Sequence, residues 1–171
     1  MLSLDRRAEA WIVAHRTGWL DWLSIGLSRA GSFGAVWIAI AIVVALLRRR
    51  PSIVAAVVAA DVVSQLVALL GKTLIHRHRP FVHQLGPAAT THSFPSGHAA
   101  SSFACAVVLG MLEPRLRWPL YGLATLIALS RLYNGDHFPL DVLGGAVLGA
   151  ATALLLRAAS RRRAGRGWRA G

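Results

Sequence analysis

Apolar stretches separated by short polar or basic segments run along most of the chain. A helix needs roughly 20 apolar residues to cross a bilayer, so the shorter stretches must extend into their flanks. The pattern therefore predicts an all-α, polytopic transmembrane helix bundle with about five spans. The predicted spans cover residues 34–47 (extended through 30–33), 51–70, 99–112, 118–132 and 139–156.

The first 30 residues differ from these spans because charged residues interrupt their apolar pattern. Apolar side chains recur at helical spacing from Leu4 and Ala8 onward, whereas Asp5 and Glu9 fall elsewhere on the helical wheel. The segment is also rich in tryptophan, which favours helices lying in the membrane interface. The alternative is a sixth span over residues 11–30, which would place several charged side chains in the bilayer.

Composition agrees with a membrane protein. The chain has 171 residues, of which 55% are hydrophobic, and its mean hydropathy of +0.52 is too high for a soluble domain of this size. The net charge of +12 comes from short basic blocks at the ends of apolar stretches, which argues against nucleic-acid binding. We divide the chain into N-terminal interfacial helices (1–30), a membrane-embedded domain (31–157) and a basic tail (158–171), disordered from Arg161 onward.

Three residues within the predicted spans need an explanation of their own. Asp61 lies in the middle of the second span, where a carboxylate marks either a functional site or a packing hydrogen bond with Ser64 or Gln65. Its position outside the motifs described next favours packing. Gly145 and Gly149 are spaced for close helix contact, and a homodimer is one possible use of that surface.

Three short strings carry the chemistry of the chain. The first and third strings contain cationic side chains, and the second and third contain a histidine each. The strings are Lys72 followed after six residues by Arg79-Pro80, then Pro95-Ser96-Gly97-His98, then Ser130-Arg131 with His137 and Asp141 downstream.

Alternating span directions place the three strings on one face of the membrane. The second span ends near Lys72 and the third begins after His98. The fourth ends near Arg131 and the fifth begins just before Asp141. The strings can therefore form one site.

The residue types suit phosphoryl transfer without a metal. Lys72, Arg79 and Arg131 can bind the three non-bridging oxygens of a phosphoryl group. Ser96 and Gly97 come just before a helix, where free N–H groups and the helix dipole favour an anion, and His98 would stand beside the bound group.

The spacing of His137 and Asp141 suggests a nucleophile and its partner. They are four residues apart, with Pro139 suited to the first helical turn between them, so both can project from one helix face. The carboxylate can then hold the Nδ1 proton of the imidazole and leave the other nitrogen free to attack phosphorus.

A histidine-rich loop raises the alternative of a metal site. The loop contains His76, His78, His83 and His92, but their spacing is not that of a helical ligand pair and no carboxylates accompany them. We therefore expect no metal and no other cofactor.

The three strings resemble the tripartite signature of the type 2 phosphatidic acid phosphatase superfamily, which also includes vanadium haloperoxidases. Every motif position is filled between residues 72 and 141. The resemblance implies that His137 is the phosphorylated nucleophile, Asp141 its orienting partner and His98 the acid for the leaving group. It assigns phosphate binding to Lys72, Arg79, Ser96, Gly97 and Arg131.

The resemblance implies a small bacterial integral-membrane lipid phosphate phosphatase with a core like that of the haloperoxidases. Its substrate would be a phosphomonoester or diphosphate of a lipid: phosphatidic acid, phosphatidylglycerol phosphate, a polyprenyl phosphate or diphosphate, or a decaprenyl phosphoribose phosphate of cell-wall synthesis. A vanadate-dependent haloperoxidase and a non-catalytic membrane protein are the alternatives from other classes. Basic residues are more numerous on the face opposite the site, which predicts a plasma-membrane protein with an extracytoplasmic active site.

Overall fold

The computed structural model describes residues 2–80, 84–86 and 90–167, and these residues confirm the all-α prediction. They contain α-helices and two short 3₁₀ turns, Ser32–Gly34 and Pro114–Leu116. The helices are α1 (Leu2–Ala14), α2 (Gly18–Gly31), α3 (Ala35–Arg48), α4 (Ser52–Ile75), α5 (Gly97–Leu112), α6 (Arg117–Tyr133) and α7 (Pro139–Gly167).

Three stretches of the described chain are long enough and apolar enough to cross a membrane. These stretches are Gly18–Arg48, Ser52–Ile75 and Pro139–Arg162. Helix α5 is apolar but has only 16 residues, and α6 has 17. The count of five spans and the interfacial position of residues 1–30 therefore stay predictions.

A backbone break separates α2 from α3. Phe33 and Gly34 both have positive φ angles, 53° and 66°. The expectation that residues 30–33 simply extend the first span as regular helix is therefore wrong. Left-handed backbone favours glycine, and a Cβ atom added to Gly34 would also lie only 2.7 Å from the Asp61 carboxylate.

Asp61 joins α4 to α5 beside this break. Its carboxylate accepts a hydrogen bond from Gln65 Nε2 at 2.8 Å and one from the Ser101 hydroxyl on α5. Ser64 donates instead to the Asp61 main-chain oxygen, at 2.9 Å. The Gln65 contact agrees with the expected packing role, and Ser101 is the partner that the sequence did not reveal.

Small residues let α7 approach α5 at the centre of the bundle. A methyl group added to Gly149 would overlap the Ala100 carbonyl oxygen, and one added to Gly145 would overlap that of Ser96. The two glycines therefore serve a contact within the chain, and the possible homodimer remains a prediction. This close crossing also brings the first turn of α7 against the start of α5, where the Ser96 N–H donates to the Asp141 main-chain oxygen at 2.9 Å.

Helix α1 packs its acidic side against the protein. Asp5 and Glu9 are buried, whereas Leu4 and Trp11 are 67% and 64% exposed. The apolar side of α1 is therefore free to face lipid, and the acidic side faces the basic site end of the bundle.

The basic tail is more regular than expected. Helix α7 continues to Gly167, so the prediction of disorder from Arg161 is wrong for residues 161–167, and residues 168–171 lie outside the described chain. A helical backbone at this point continues the last predicted span without a break.

Candidate active site

Four helix ends meet at one end of the bundle and carry the predicted site residues. Lys72 lies in the last turn of α4, His98 in the first turn of α5 and Arg131 in the last turn of α6, while Asp141 lies in the first turn of α7. The three strings therefore lie at the same end of the bundle, as the alternating span directions predict.

His137 is buried, and its two ring nitrogens face different partners. Nδ1 lies 3.6 Å from Asp141 Oδ2, an ion-pair distance longer than a hydrogen bond. Nε2 lies 3.3 Å from Arg79 Nη1. Because a guanidinium can only donate, this contact requires Nε2 to carry the lone pair, which places the imidazole proton on Nδ1 toward Asp141.

Arg79 is held in place by main-chain acceptors on two sides. Its Nη1 donates to the Asp136 carbonyl oxygen at 2.7 Å, and its Nε donates to the Thr91 carbonyl oxygen at 2.8 Å. Its Nη2 lies 3.2 Å from the Thr91 hydroxyl. The loop that carries Thr91 therefore positions the guanidinium beside the predicted nucleophile.

The Ser96–Gly97 turn faces a groove. Ser96 is buried, its N–H is used by Asp141, and its hydroxyl has no hydrogen-bond partner among the described residues. A Cβ on Gly97 would meet no atom within 4 Å, so space is open beside its backbone. Gly97, Lys72 and Thr91 line one end of a groove of about 420 Å³, whose remaining lining residues are Val62, Gln65, Leu66, Ala68 and Leu69.

Residues from the N-terminal half support His98 and Arg131. The Ser32 hydroxyl lies 3.3 Å from His98 Nε2. Arg131 Nη1 donates to the Ser28 hydroxyl, and its Nη2 forms an ion pair with Asp136 Oδ2 at 2.9 Å. Helix α2 and the turn after it are therefore part of the site wall.

Burial controls the charge of the loop residues at the site. Desolvation lowers the pKa of His137 to about 3; the positive charges of Arg79, Arg131 and Lys72 act in the same direction, and Asp141 opposes them. His137 is therefore neutral at pH 7, with a single ring proton on Nδ1. Desolvation also raises the pKa of Asp136, against the attraction of its arginine neighbours.

Several site residues were missed by motif reasoning. Asp136 and Arg77 lie within or beside the strings, but nothing in their spacing marks a partner. Asp5, Ser28 and Ser32 lie far away in sequence, and only the fold brings them to the site. The one available signal was the presence of two acidic residues, Asp5 and Glu9, on an otherwise apolar and basic N-terminal helix.

The histidine-rich loop does not gather ligands in the described residues. His76 and His92 stack edge to face with ring centroids 4.7 Å apart, and His92 accepts a hydrogen bond from Lys72 Nζ through its main-chain oxygen at 2.6 Å. No group of three or more histidine, cysteine or acidic residues capable of holding a metal occurs in residues 2–80, 84–86 and 90–167. His83 lies outside the described chain, and metal independence stays a prediction.

A family model described as the PAP2 superfamily matches residues 50–164, which includes all three strings. The chain belongs to the PAP2 superfamily. Three apolar helical stretches are long enough to span a bilayer, and the chain is a membrane protein.

Relatives and solved structures with similar sequences support this placement. The chain is 33% identical over 136 residues to an undecaprenyl-diphosphatase of Sulfolobus acidocaldarius, covering 76% of this chain and 66% of the relative. It is 35% identical over 137 residues to a decaprenylphosphoryl-5-phosphoribose phosphatase of Mycobacterium tuberculosis, covering 77% and 75%. The chain spans less than two thirds of the length of several curated relatives that it matches.

The fold matches that of a membrane phosphatase. The transmembrane PAP2-type phosphatidylglycerolphosphate phosphatase of Bacillus subtilis superposes with a TM-score of 0.79 at 26% sequence identity, over 94% of this chain and 86% of that one. The N-terminal helices are thus part of the shared architecture, because the match extends well beyond residues 50–164.

Proposed function

We propose that this protein is an integral-membrane phosphatase that hydrolyses a phosphomonoester or diphosphate of a lipid through a phosphohistidine. The observation that carries the proposal is the pairing of His137 Nε2 with Arg79 Nη1 at 3.3 Å. An imidazole nitrogen with a free lone pair and a phosphate-binding guanidinium can then contact the same phosphoryl group. Lys72 and Arg131 supply the remaining positive charge.

The reaction begins with attack by the His137 Nε2 lone pair on phosphorus. As the N–P bond forms, the bond from phosphorus to the leaving oxygen breaks, and His98 donates a proton to that oxygen. Lys72, Arg79 and Arg131 stabilise the charge on the non-bridging oxygens. The His137 Nδ1 proton faces Asp141, whose carboxylate stabilises the positive charge that develops on the ring.

The second half-reaction releases inorganic phosphate. His98, now unprotonated, accepts a proton from water, whose oxygen attacks phosphorus while the N–P bond breaks. Burial lowers the pKa of His98, and the positive charges of Arg131, Arg79 and Lys72 lower it further. The negative charge of a bound phosphate opposes these positive charges and raises the pKa of His98, which favours the protonated form that the first half-reaction needs.

The groove supports a lipid as the substrate class. Its end near the site carries Lys72, Thr91 and Gly97, and Val62 and Leu66 belong to its apolar remainder on α4. An anionic headgroup can occupy the first part while an acyl or prenyl tail lies along the second. Soluble phosphate esters would leave the apolar part unused.

Similar proteins narrow the panel of headgroups. We propose polyprenyl diphosphate, decaprenylphosphoryl-5-phosphoribose, phosphatidylglycerol phosphate and phosphatidic acid as the substrates to test, because the names of similar proteins include the first three chemistries. Phosphate release by the purified protein in detergent, lipid by lipid, tests the proposal. Release from none of them, with a folded protein, would contradict it.

The distribution of basic residues supports an extracytoplasmic site in the plasma membrane. Eight lie on the site side, and Lys72, Arg77, Arg79 and Arg131 have partners or roles there. The other four basic residues on the site side are outnumbered by the eleven on the opposite side. The positive-inside rule therefore places the opposite side in the cytoplasm. By the sequence-based topology those eleven are Arg48, Arg49, Arg50, Arg115, Arg117, Arg157, Arg161, Arg162, Arg163, Arg166 and Arg169, the last of which lies outside the described residues.

A further inference from the structure

Helix α1 contributes a buried carboxylate to the site end of the bundle. The Asp5 side chain is 2% exposed and uses both of its oxygens. Oδ2 accepts a hydrogen bond from Arg77 Nη2, and Oδ1 accepts one from the Leu140 N–H at 2.9 Å. A carboxylate buried this deeply is stable only when its charge is paired and its lone pairs are satisfied.

Arg77 connects this carboxylate to a predicted catalytic residue. Its second terminal nitrogen, Nη1, donates to Asp141 Oδ1 at 2.6 Å. Its guanidinium carbon also lies 4.5 Å from the centroid of the Phe138 ring, which fixes the plane of the fork. One guanidinium therefore bridges two buried carboxylates, one from the first helix of the described chain and one from the last.

The bridge determines which oxygen of Asp141 is available to His137. Oδ1 is occupied by Arg77, whereas Oδ2 accepts the Phe138 N–H at 2.9 Å and faces His137 Nδ1 at 3.6 Å. Rotation of the carboxylate would break contacts on both oxygens. Asp141 is thereby oriented before any substrate arrives.

We infer that Asp5 and Arg77 are positioning residues for phosphoryl transfer, with Asp5 acting through Arg77 on Asp141 and hence on His137. Without the Asp5 charge, Asp141 would be the remaining carboxylate paired with Arg77, and Arg77 would attract it more strongly. The carboxylate would then be drawn from His137, and it would stabilise the developing imidazolium less well. The inference rests on the proposed phosphatase function and adds the N-terminal helix to its machinery.

Three variants separate this role from simple packing. Asp5→Asn keeps an oxygen that accepts the Leu140 N–H, but its amide nitrogen cannot accept a hydrogen bond from Arg77. Asp5→Glu keeps the negative charge on a longer side chain. Glu9→Gln is the matched control, because Glu9 is buried on the same helix, one turn away, and its Oε1 has no hydrogen-bond partner in the described chain.

The first readout is turnover of a short-chain, water-soluble lipid phosphate. We expect Asp5→Asn to lower kcat by about tenfold or more, as is usual when a residue that orients a functional side chain is changed. KM should stay within about twofold of the wild-type value. Asp5→Glu should recover part of the loss, and Glu9→Gln should behave like the wild type. An unchanged kcat in Asp5→Asn, or an equal loss in Glu9→Gln, would overturn the inference.

The second readout needs no activity. In ¹⁵N-histidine spectra of the detergent-solubilised full chain, with His137→Asn used for assignment, the wild-type His137 should carry its proton on Nδ1. Asp5→Asn should shift this signal toward a mixture of tautomers, and Glu9→Gln should not. Identical His137 signals in wild type and Asp5→Asn would refute the positioning role. Wild-type inactivity on every lipid phosphate, with the expected shift, would refute only the proposed function.

Discussion

Arg79 Nη1 lies 3.3 Å from His137 Nε2, so a predicted phosphate ligand and the predicted nucleophile share one edge of the site. The same guanidinium donates to main-chain oxygens of Thr91 and Asp136. Its position is therefore fixed by the backbone before a phosphate enters. This relationship underlies the first prediction.

His137→Ala should lower turnover by about a thousandfold or more and abolish the phosphoenzyme, because it removes the attacking nitrogen. His98→Ala should still form a phosphoenzyme from p-nitrophenyl phosphate, whose leaving group needs no proton. Rapid quench with a ³²P-labelled substrate measures the acid-labile intermediate. His15→Ala, which changes an exposed histidine on the N-terminal side, serves as the control. Labelling that persists in His137→Ala would rule out this nucleophile.

Arg131→Lys should be poorly tolerated, because an ammonium cannot reproduce the planar fork that binds two acceptors at once. The native guanidinium contacts Ser28 and Asp136 simultaneously. We expect kcat/KM to fall by about tenfold to a hundredfold, as for one lost charged contact. Steady-state kinetics on the preferred lipid would measure it, and near-normal kinetics would argue against direct phosphate binding.

His137 should remain neutral at pH values far below the ordinary pKa of histidine, because burial lowers its own pKa to about 3. A lowered pKa means that the folded protein resists protonation, so the nucleophile is available at pH 7 and is lost only as the pH approaches 3. The ¹⁵N shifts of His137, followed from pH 7.5 to 4.5, should show an unprotonated Nε2 throughout. Titration of this signal near pH 6.5 would contradict the prediction.

Activity should be insensitive to EDTA and inhibited by vanadate. Three fixed cations can neutralise the phosphoryl charge without a metal, and vanadate adopts a five-coordinate geometry like that of the transition state. Both effects are measured on phosphate release. Activity that disappears with EDTA and returns with magnesium would contradict the mechanism, and peroxide-dependent halide oxidation by the vanadate-loaded protein would favour the haloperoxidase alternative.

Gly149→Ala should destabilise the protein by about 1–3 kcal/mol, because the added methyl group overlaps the Ala100 carbonyl oxygen on α5. Gly122→Ala is the matched control: Gly122 is a helical glycine of α6, and a Cβ there meets nothing within 4 Å. Thermal unfolding in detergent would compare them. Equal stability of the two variants would show that the α5–α7 crossing can relax.

Orientation can be tested with a membrane-impermeant thiol reagent in intact cells, in a Cys105→Ala background. Thr90 is exposed beside the site, and Gly165 belongs to the opposite end. Thr90→Cys should be labelled in intact cells and Gly165→Cys only after permeabilisation. The reverse pattern would place the site on the cytoplasmic leaflet.

The sequence was most informative where several independent signals coincided. Motif spacing and alternating span directions together predicted that Lys72, His98, Arg131 and Asp141 meet, and the four helix ends do meet. The prediction needed no knowledge of helix angles, because span polarity alone decides which end of the bundle each residue occupies.

Long-range partners could not be predicted in the same way. Asp5 and Arg77 are 72 positions apart, and neither spacing nor hydropathy indicates which basic residue an isolated carboxylate will meet. The break at Phe33 was missed for a related reason. An apolar run predicts a helix through it, whereas the left-handed backbone at Gly34 lies against Asp61, 27 positions later in the sequence, and hydropathy does not reveal such a long-range neighbour.

The groove along α4 has a consequence for how rates should be measured. Its Val62 and Leu66 lining suits a tail that stays among other lipids while the headgroup reaches Lys72. Substrate and dephosphorylated lipid would then move in two dimensions within the bilayer, and only water and inorganic phosphate would cross the aqueous surface. With long-chain lipids, the velocity should therefore follow the mole fraction of substrate in each micelle, and it should fall when more detergent is added at constant bulk concentration.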